Sequence, residues 1–297
     1  MKFLGFLVLA CSVHAAVLTQ NWRESKLTMT LDDGAAEIEM ITQVSFRAIR
    51  VWGTQEIPVS GIAHNLVLAA RETTPDSILI KTRYLTIEVN KATGALSLRT
   101  PDADLGKLAF DRTMPAKWKP GEAYGVFPRT SSPNQTDFVV CVGPTPKEIF
   151  EQYATVRGSK QVTPTSLTGS VRDLIRASWD MTLDARLQDG AVSSLWTRPE
   201  LEPYRVTYRR ESLDRGFPTV RPLGFQFPKD QGTLGREDAF MFGDEFLIVP
   251  GSGKLKVEFP RGRWTDLSTN TEYAGRQAAE FEAPDGRVPM FARNGAV

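Results

Sequence analysis

The chain has 297 residues, of which 41% are apolar and 24% charged, with 36 Lys and Arg against 35 Asp and Glu. This composition supports a packed core and excludes a disordered polyelectrolyte, and a net charge of +1 gives no general field for nucleic acid or an anionic membrane surface. With two histidines and two cysteines, a His-rich metal site is excluded and an imidazole-served nucleophile has almost nothing to draw on.

The first sixteen residues read as an export signal. Lys2 is a short positive region, Phe3 to Ala10 an apolar one, and Val13-His14-Ala15-Ala16 the small-residue site, with cleavage after Ala15 or Ala16. Val8-Leu9-Ala10-Cys11 also resembles a lipoprotein box with Cys11 acylated, a reading ranked below plain secretion or periplasmic release. No later apolar run approaches the ~20 residues a membrane span needs. Cleavage leaves Cys141, which cannot form an internal disulfide, and His64, between two strand-like runs and read as a loop or surface residue.

Residues 17–144 read as an antiparallel β module. Strand-like runs cover Ala36 to Val51, Asn65 to Ala70, Ser77 to Val89 and Phe138 to Val142, and turn signals separate them at Asp32-Asp33-Gly34 and Asn90 to Gly94. Tyr84 to Val89 and Ala95 to Arg99 form a hairpin across the second turn, and the series predicts a β-sandwich. Cys141 sits in the apolar run Phe138 to Val142 and reads as a buried hydrophobe.

Residues 145–219 change period. Thr145-Pro146-Lys147-Glu148 has the order N-cap, first-turn proline and N3 acid, for a helix burying Ile149, Phe150 and Tyr153 and stopping at Gly158. A second start at Ser170 leads through Leu174, Ala177, Met181 and Ala185, and a third at Thr197 through Leu201, Tyr204 and Tyr208 to Gly216. From Val220 the runs Phe246 to Val249, Lys254 to Phe259 and the segment ending at Phe291 return to β. The expected fold class is β-rich multidomain α+β: a sandwich, a short helical segment at 145–219 and a second sandwich at 220–297.

Particular motifs carry a resemblance. Phe240-Met241-Phe242-Gly243-Asp244-Glu245-Phe246-Leu247-Ile248-Val249-Pro250, Gly262-Arg263-Trp264-Thr265-Asp266 with Tyr273-Ala274-Gly275, and Val288-Pro289-Met290-Phe291-Ala292-Arg293-Asn294-Gly295-Ala296 follow one another. Before them come Gly121-Glu122-Ala123-Tyr124-Gly125, Gly143-Pro144-Thr145-Pro146-Lys147-Glu148 and Arg215 to Leu223 with Phe227-Pro228-Lys229-Asp230. In this order they resemble glycoside hydrolase family 31, the α-glucosidase and α-xylosidase family, over roughly residues 80–145 and 200–297. The resemblance implies a mutarotase-like N-terminal sandwich, a (β/α)₈ barrel and a C-terminal sandwich. It also implies retaining hydrolysis of terminal α-glycosidic bonds with neither metal nor organic cofactor, and an α-linked oligosaccharide as ligand.

The interval between the motifs departs from that pattern. Such barrels need about 250 residues, and here only roughly 70 separate Gly143 from Arg221. Residues 145–219 are therefore expected to be a short helical vestige of the barrel. A retaining mechanism needs two carboxyls about 5–5.5 Å apart on a rigid scaffold. The nearest match to the family's nucleophile setting is Trp179-Asp180-Met181, one residue short, with Asp184 close behind. Asp180 is the one candidate, and a place on a solvated helix face is the reading preferred over catalysis. The family's acid/base aspartate and late Arg-His pair have no counterpart. Asp32, Asp33, Asp102 and Asp104 read as turn residues, Glu200 as a cap, and Asp244 and Asp266 as structural. Trp52, Trp118, Trp196 and Trp264 read as core or interface side chains before sugar platforms. Asn134-Gln135-Thr136 is a glycosylation sequon. Three readings stand side by side. The first is an inactive, sugar-binding or structural relative. The second is an active retaining α-glycosidase with an unrecognised carboxylate pair or a partner chain supplying a barrel. The third is a truncated gene product, suggested by the end at Val297 inside a family motif.

Overall fold

The computed structural model describes residues 15–63, 65–112, 121–157, 163–180, 183–188, 190–283 and 286–295. The export-signal reading, with Cys11, falls almost wholly outside them, as do His64, Trp118, Gly158, Met181 and Asp189. The chain divides into two units, residues 1–117 with 126–142, and 118–125 with 143–297.

The first unit is built of β1 (Val17–Arg23), β2 (Lys26–Leu31), β3 (Gly34–Met40), β4 (Ser45–Trp52), β5 (Ala70–Thr73), β6 (Ser77–Lys81), β7 (Thr86–Asn90), β8 (Leu96–Arg99), β9 (Asp104–Leu108), β10 (Tyr124–Ser132) and β11 (Gln135–Val142). One sheet has the order β1-β2-β3-β4-β11-β10 and the other β5-β6-β7-β8-β9. The β7–β8 hairpin pairs Ile87 with Leu98 and Val89 with Leu96, in the arrangement its alternation predicts. Its turn is held by Asn90, whose Oδ1 accepts from the Ala92 and Thr93 amides at 3.0 Å. Phe110, following the second sheet, meets Phe138 of the first edge-on, with centroids 6.1 Å apart. Cys141 is fully buried, and burial pushes its thiol pKa up. Asn65 to Ala69, expected to be strand, has no regular structure; the strand starts at Ala70. Exposed apolar residues such as Leu66 and Leu68 mimic strand alternation there without a sheet face to bury.

The second unit continues with α1 (Pro146–Arg157), β12 (Thr163–Leu167), α2 (Val171–Ala177), β13 (Leu183–Leu187), two 3₁₀ turns (Ala191–Trp196 and Pro199–Leu201) and α3 (Glu202–Arg215). Then come β14 (Val220–Pro222), α4 (Leu223–Gln226), β15 (Phe240–Phe242), β16 (Phe246–Ile248), β17 (Lys254–Glu258), β18 (Arg263–Asp266), β19 (Glu272–Ala274), β20 (Ala278–Glu282) and β21 (Met290–Arg293). A sheet of order β14-β15-β16-β21-β18-β19 is its centre, and β17-β20 form a second.

The central sheet is buried on both faces. Met241, Leu247 and Phe291 pack with Val257, Phe259, Trp264 and Phe281 on one side. Phe240, Phe242, Ile248 and Met290 pack with Leu174, Ala185, Leu195 and Tyr208 on the other. A strand covered on both faces has no polar alternation, hence Phe-Met-Phe and Phe-Leu-Ile. Residues 145–219 therefore share one core with those that follow, with no boundary at 219.

That segment is not wholly helical. β12 and β13 pair in parallel, Thr163 beside Leu183 through Leu167 beside Leu187, with α2 as the crossover. The helix expected to reach Ala185 ends at Ala177, and Ala185 lies on β13. Ala185 lies four residues after Met181, which fits a helix, and two residues from both Leu183 and Leu187, which fits a strand face, and the strand spacing is the one realised.

Candidate functional site

Asp180 owes its place to the shortness of α2. Ser170 and Asp173 form a reciprocal capping box at the start of the helix. At the other end Ser178 Oγ donates to the Leu174 carbonyl at 2.8 Å, and the Asp180 amide to the Ala177 carbonyl at 2.9 Å. Asp180 thus lies in the turn beyond the helix and is half-buried, a correction to the solvated helix face expected for it. Its negative charge acts on Arg157, opposing the burial that lowers that guanidinium's pKa. Asp184, on β13, is buried, and its Oδ2 accepts from Arg186 Nη2 at 3.2 Å. Asp180 thus acts on the Arg157 cation and Asp184 is paired with Arg186.

A second cluster joins α3 to the turn between β15 and β16. The Tyr208 hydroxyl donates to Glu245. Gly243 has φ +65°, and a Cβ added there would fall inside the Tyr208 ring. The fully buried Arg221 lies 5.6 Å from the Tyr208 ring centroid. It donates through Nε to the Pro218 carbonyl at 3.0 Å, pairs with Glu211, and keeps Nη1 3.9 Å from Asp244. Burial raises the Glu245 carboxyl pKa, against backbone hydrogen bonds that lower it. A raised carboxyl is what a general acid requires, yet this one is spent on a phenol inside the unit.

A third cluster covers one face of the six-stranded sheet of the first unit. Lys26, Glu39 and Arg47 stand opposite one another on β2, β3 and β4. Lys26 Nζ lies 2.9 Å from Glu39, and Arg47 binds Asp137 of β11 in bidentate fashion at 2.9 and 3.0 Å. Glu37 approaches both cations, at 3.8 Å from Lys26 and 3.6 Å from Arg47. These ion pairs suit cohesion of the sheet face.

Against this geometry, the profile of the glycosyl hydrolase family 31 C-terminal domain matches residues 216–297. A probable glucan 1,3-alpha-glucosidase of Arabidopsis thaliana is 33% identical over 109 residues, 35% of this chain and 12% of that protein. The neutral alpha-glucosidase AB of Mus musculus is 31% identical over 121 residues, 39% of this chain and 13% of that protein. Residues 216–297 are thus similar to the C-terminal domain of the family 31 glycosyl hydrolases. The similarity thus spans about an eighth of the length of these curated relatives. Among solved structures, a family 31 alpha-xylosidase from a soil metagenome aligns with TM-score 0.66 at 11% identity, over 94% of this chain and 99% of that one. A Flavobacterium johnsoniae family 31 dextranase aligns with TM-score 0.66 at 10% identity, over 95% of this chain and 81% of that one. At such identities the likeness is one of fold.

The family 31 motifs take structural places in this chain. Gly243 of Phe240 to Pro250 is required by the Tyr208 ring, and Gly275 by the Pro260 carbonyl, which a Cβ would strike. Trp264 is fully buried and donates Nε1–H to that same carbonyl at 2.8 Å. Asp266 is buried and accepts from the Ser268 amide and hydroxyl at 2.7 Å. Trp52 is buried and Trp196 partly buried, its ring 5.4 Å from that of Phe242. The structure does not bring the candidates of the sequence into one site. Of the two clusters that sequence reasoning missed, the ionic face had a legible signal in part: Glu37 and Glu39 are two apart and so share one face of β3, whereas Lys26 and Arg47 join them only through strand register. Glu245 lies inside the Phe240 to Pro250 motif, but its hydrogen-bond partner Tyr208 is 37 positions away, and the pairing is not legible from the motif.

Proposed function

We propose that this chain is an exported carbohydrate-binding relative of the α-glucosidases that does not hydrolyse glycosides. Its catalytic barrel is reduced to the single unit β12–α2–β13, which serves as a cover for the C-terminal sheet. The observation that carries this reading is the use made of that unit. β12 and β13 pair in parallel with α2 between them, and Leu174, Ala185 and Leu187 are committed to the core with Phe240, Phe242 and Ile248. A barrel that holds two carboxyls about 5–5.5 Å apart needs eight such units. The ligand class, α-linked gluco-oligosaccharides, is taken from the relatives, named for α-glucosidase activity. Export rests on residues 1–16; no helix among the described residues is long and apolar enough to cross a membrane.

The experiment is release of nitrophenol from aryl α-glucoside, α-xyloside and α-galactoside by the purified chain, with Asp180→Asn alongside. No turnover above blank by a chain that unfolds cooperatively is expected. Turnover that Asp180→Asn abolishes would overturn the reading and restore Asp180 as nucleophile.

A further inference from the structure

The second unit contains a polar cleft of about 360 Å³. Its walls are the loop after α4, the end of β17 and the turn before β20, and they are tied together. Thr233 Oγ1 donates to the Phe227 and Asp230 carbonyls at 2.7 and 2.9 Å. Asp230 Oδ2 accepts from the Arg261 amide at 2.6 Å. Arg236 bridges Asp238 and the Glu258 carbonyl. The rim is thereby set before any ligand arrives, which lowers the ordering cost of binding.

Other lining groups are not consumed by this framework. Lys229, Gln231 and the Glu258 carboxylate line the cleft, are exposed, and hold no hydrogen bond or ion pair among the described residues. Arg276 stands across from Asp230 at 3.6 Å, loose enough to accept another partner. Lys229, Arg236 and Arg276 face the carboxylates of Asp230 and Glu258, and the third cation, Arg236, is matched by Asp238 beside the cleft, so the opening is left without net charge, which favours a neutral ligand over a phosphate or a metal ion. Donors and acceptors are interleaved, as hydroxyl groups that both donate and accept require. Phe259 and Pro260, both buried, form the floor between them. A cleft near the lower end of the usual ligand-pocket range, about 300–1,000 Å³, suits a short oligosaccharide.

We infer that this cleft, with Lys229, Gln231, Glu258 and Arg276, is a binding site for a short α-linked gluco-oligosaccharide. The sugar class rests on the function proposed above, whereas the location rests on the cleft. The test is calorimetric titration of the full chain with maltotriose and isomaltotriose, with cellotriose as the β-linked control. It is repeated on Lys229→Ala/Glu258→Ala and on Glu280→Ala, an exposed charge of β20 away from the cleft. Saturable binding of an α-linked trisaccharide, weakened about tenfold or more by the double variant and unchanged by Glu280→Ala, is the expected result. Saturable binding that survives the double variant overturns this site and leaves the sugar-binding function standing. No saturable binding by a folded wild-type chain overturns both. Because both exchanged side chains are exposed, each variant is expected to keep the wild-type unfolding midpoint, which shows that any loss is local.

Discussion

The two large sheets of this protein are stabilised in opposite ways. The sheet of the first unit carries apolar residues such as Leu27, Ile38 and Phe46 on one face and the ion pairs of Lys26, Glu39, Arg47 and Asp137 on the other. The central sheet of the second unit is apolar on both faces, with the β12–α2–β13 unit and α3 contributing the cover on one of them. In the first case the polar face is satisfied by charge pairing within the sheet. In the second, the segment before β14 supplies hydrophobic cover through Leu174, Ala185, Leu187 and Tyr208.

The comparison breaks most severely at the ionic face. Arg47 is 1% exposed on its side chain and Asp137 6%, so removing one partner strands a buried charge. Asp137→Ala is expected to cost about 3–5 kcal/mol, whereas Arg47→Met/Asp137→Leu, which removes both charges, should recover most of that loss. Urea denaturation of the three proteins measures this. A single variant no worse than the double would show that the pair is solvated and that the face is not a buried ionic one.

The apolar sheet breaks at a glycine. Gly243→Ala combines a left-handed backbone with a Cβ inside the Tyr208 ring, and Tyr208 is 1% exposed and cannot swing into solvent. The expected loss is about 2–4 kcal/mol. Gly253, at φ +68° with nothing within 4 Å of its added Cβ, isolates the backbone part, and Gly253→Ala should cost only about 1–2 kcal/mol. Equal unfolding midpoints for the two variants would show that the ring yields and that α3 is not pressed onto the sheet.

These same residues explain what was legible in the sequence. The C-terminal sandwich could be read because its motifs are packing requirements, glycines against Tyr208 and Pro260 and an aspartate closing a turn, that any sequence with this fold must meet locally. The β7–β8 hairpin was legible for the same reason, since its turn is fixed by Asn90. β12 and β13 were not, because a parallel pair is created by contact between segments about 20 positions apart and leaves only a short apolar alternation behind. The cleft of the second unit was illegible as well. Lys229, Glu258 and Arg276 come from three separate turns or strand ends, and each alone is an ordinary surface charge.

The mildest prediction concerns Glu245, whose carboxyl pKa burial raises above its ordinary value of 4.5. Below pH 4.5 it is protonated in both the folded and the unfolded chain, and contributes nothing to the pH dependence. As pH rises from 4.5 through the higher folded value, the unfolded chain releases its proton first, so the folded state loses stability; above the folded value the penalty is constant. Glu245→Gln keeps an acceptor for Tyr208 and cannot ionise. Its stability relative to wild type should therefore rise with pH from about 4.5 and then level off, as read from thermal unfolding between acid and neutral pH. Asp238, whose carboxyl is held low by Arg236 against the opposing effect of burial, should show the opposite sign. Its stabilisation is complete above 3.8 and lost on acidification below that. A Glu245→Gln difference that is flat with pH would place this carboxyl in water, and would remove the hydrogen bond by which α3 is fastened to the apolar sheet.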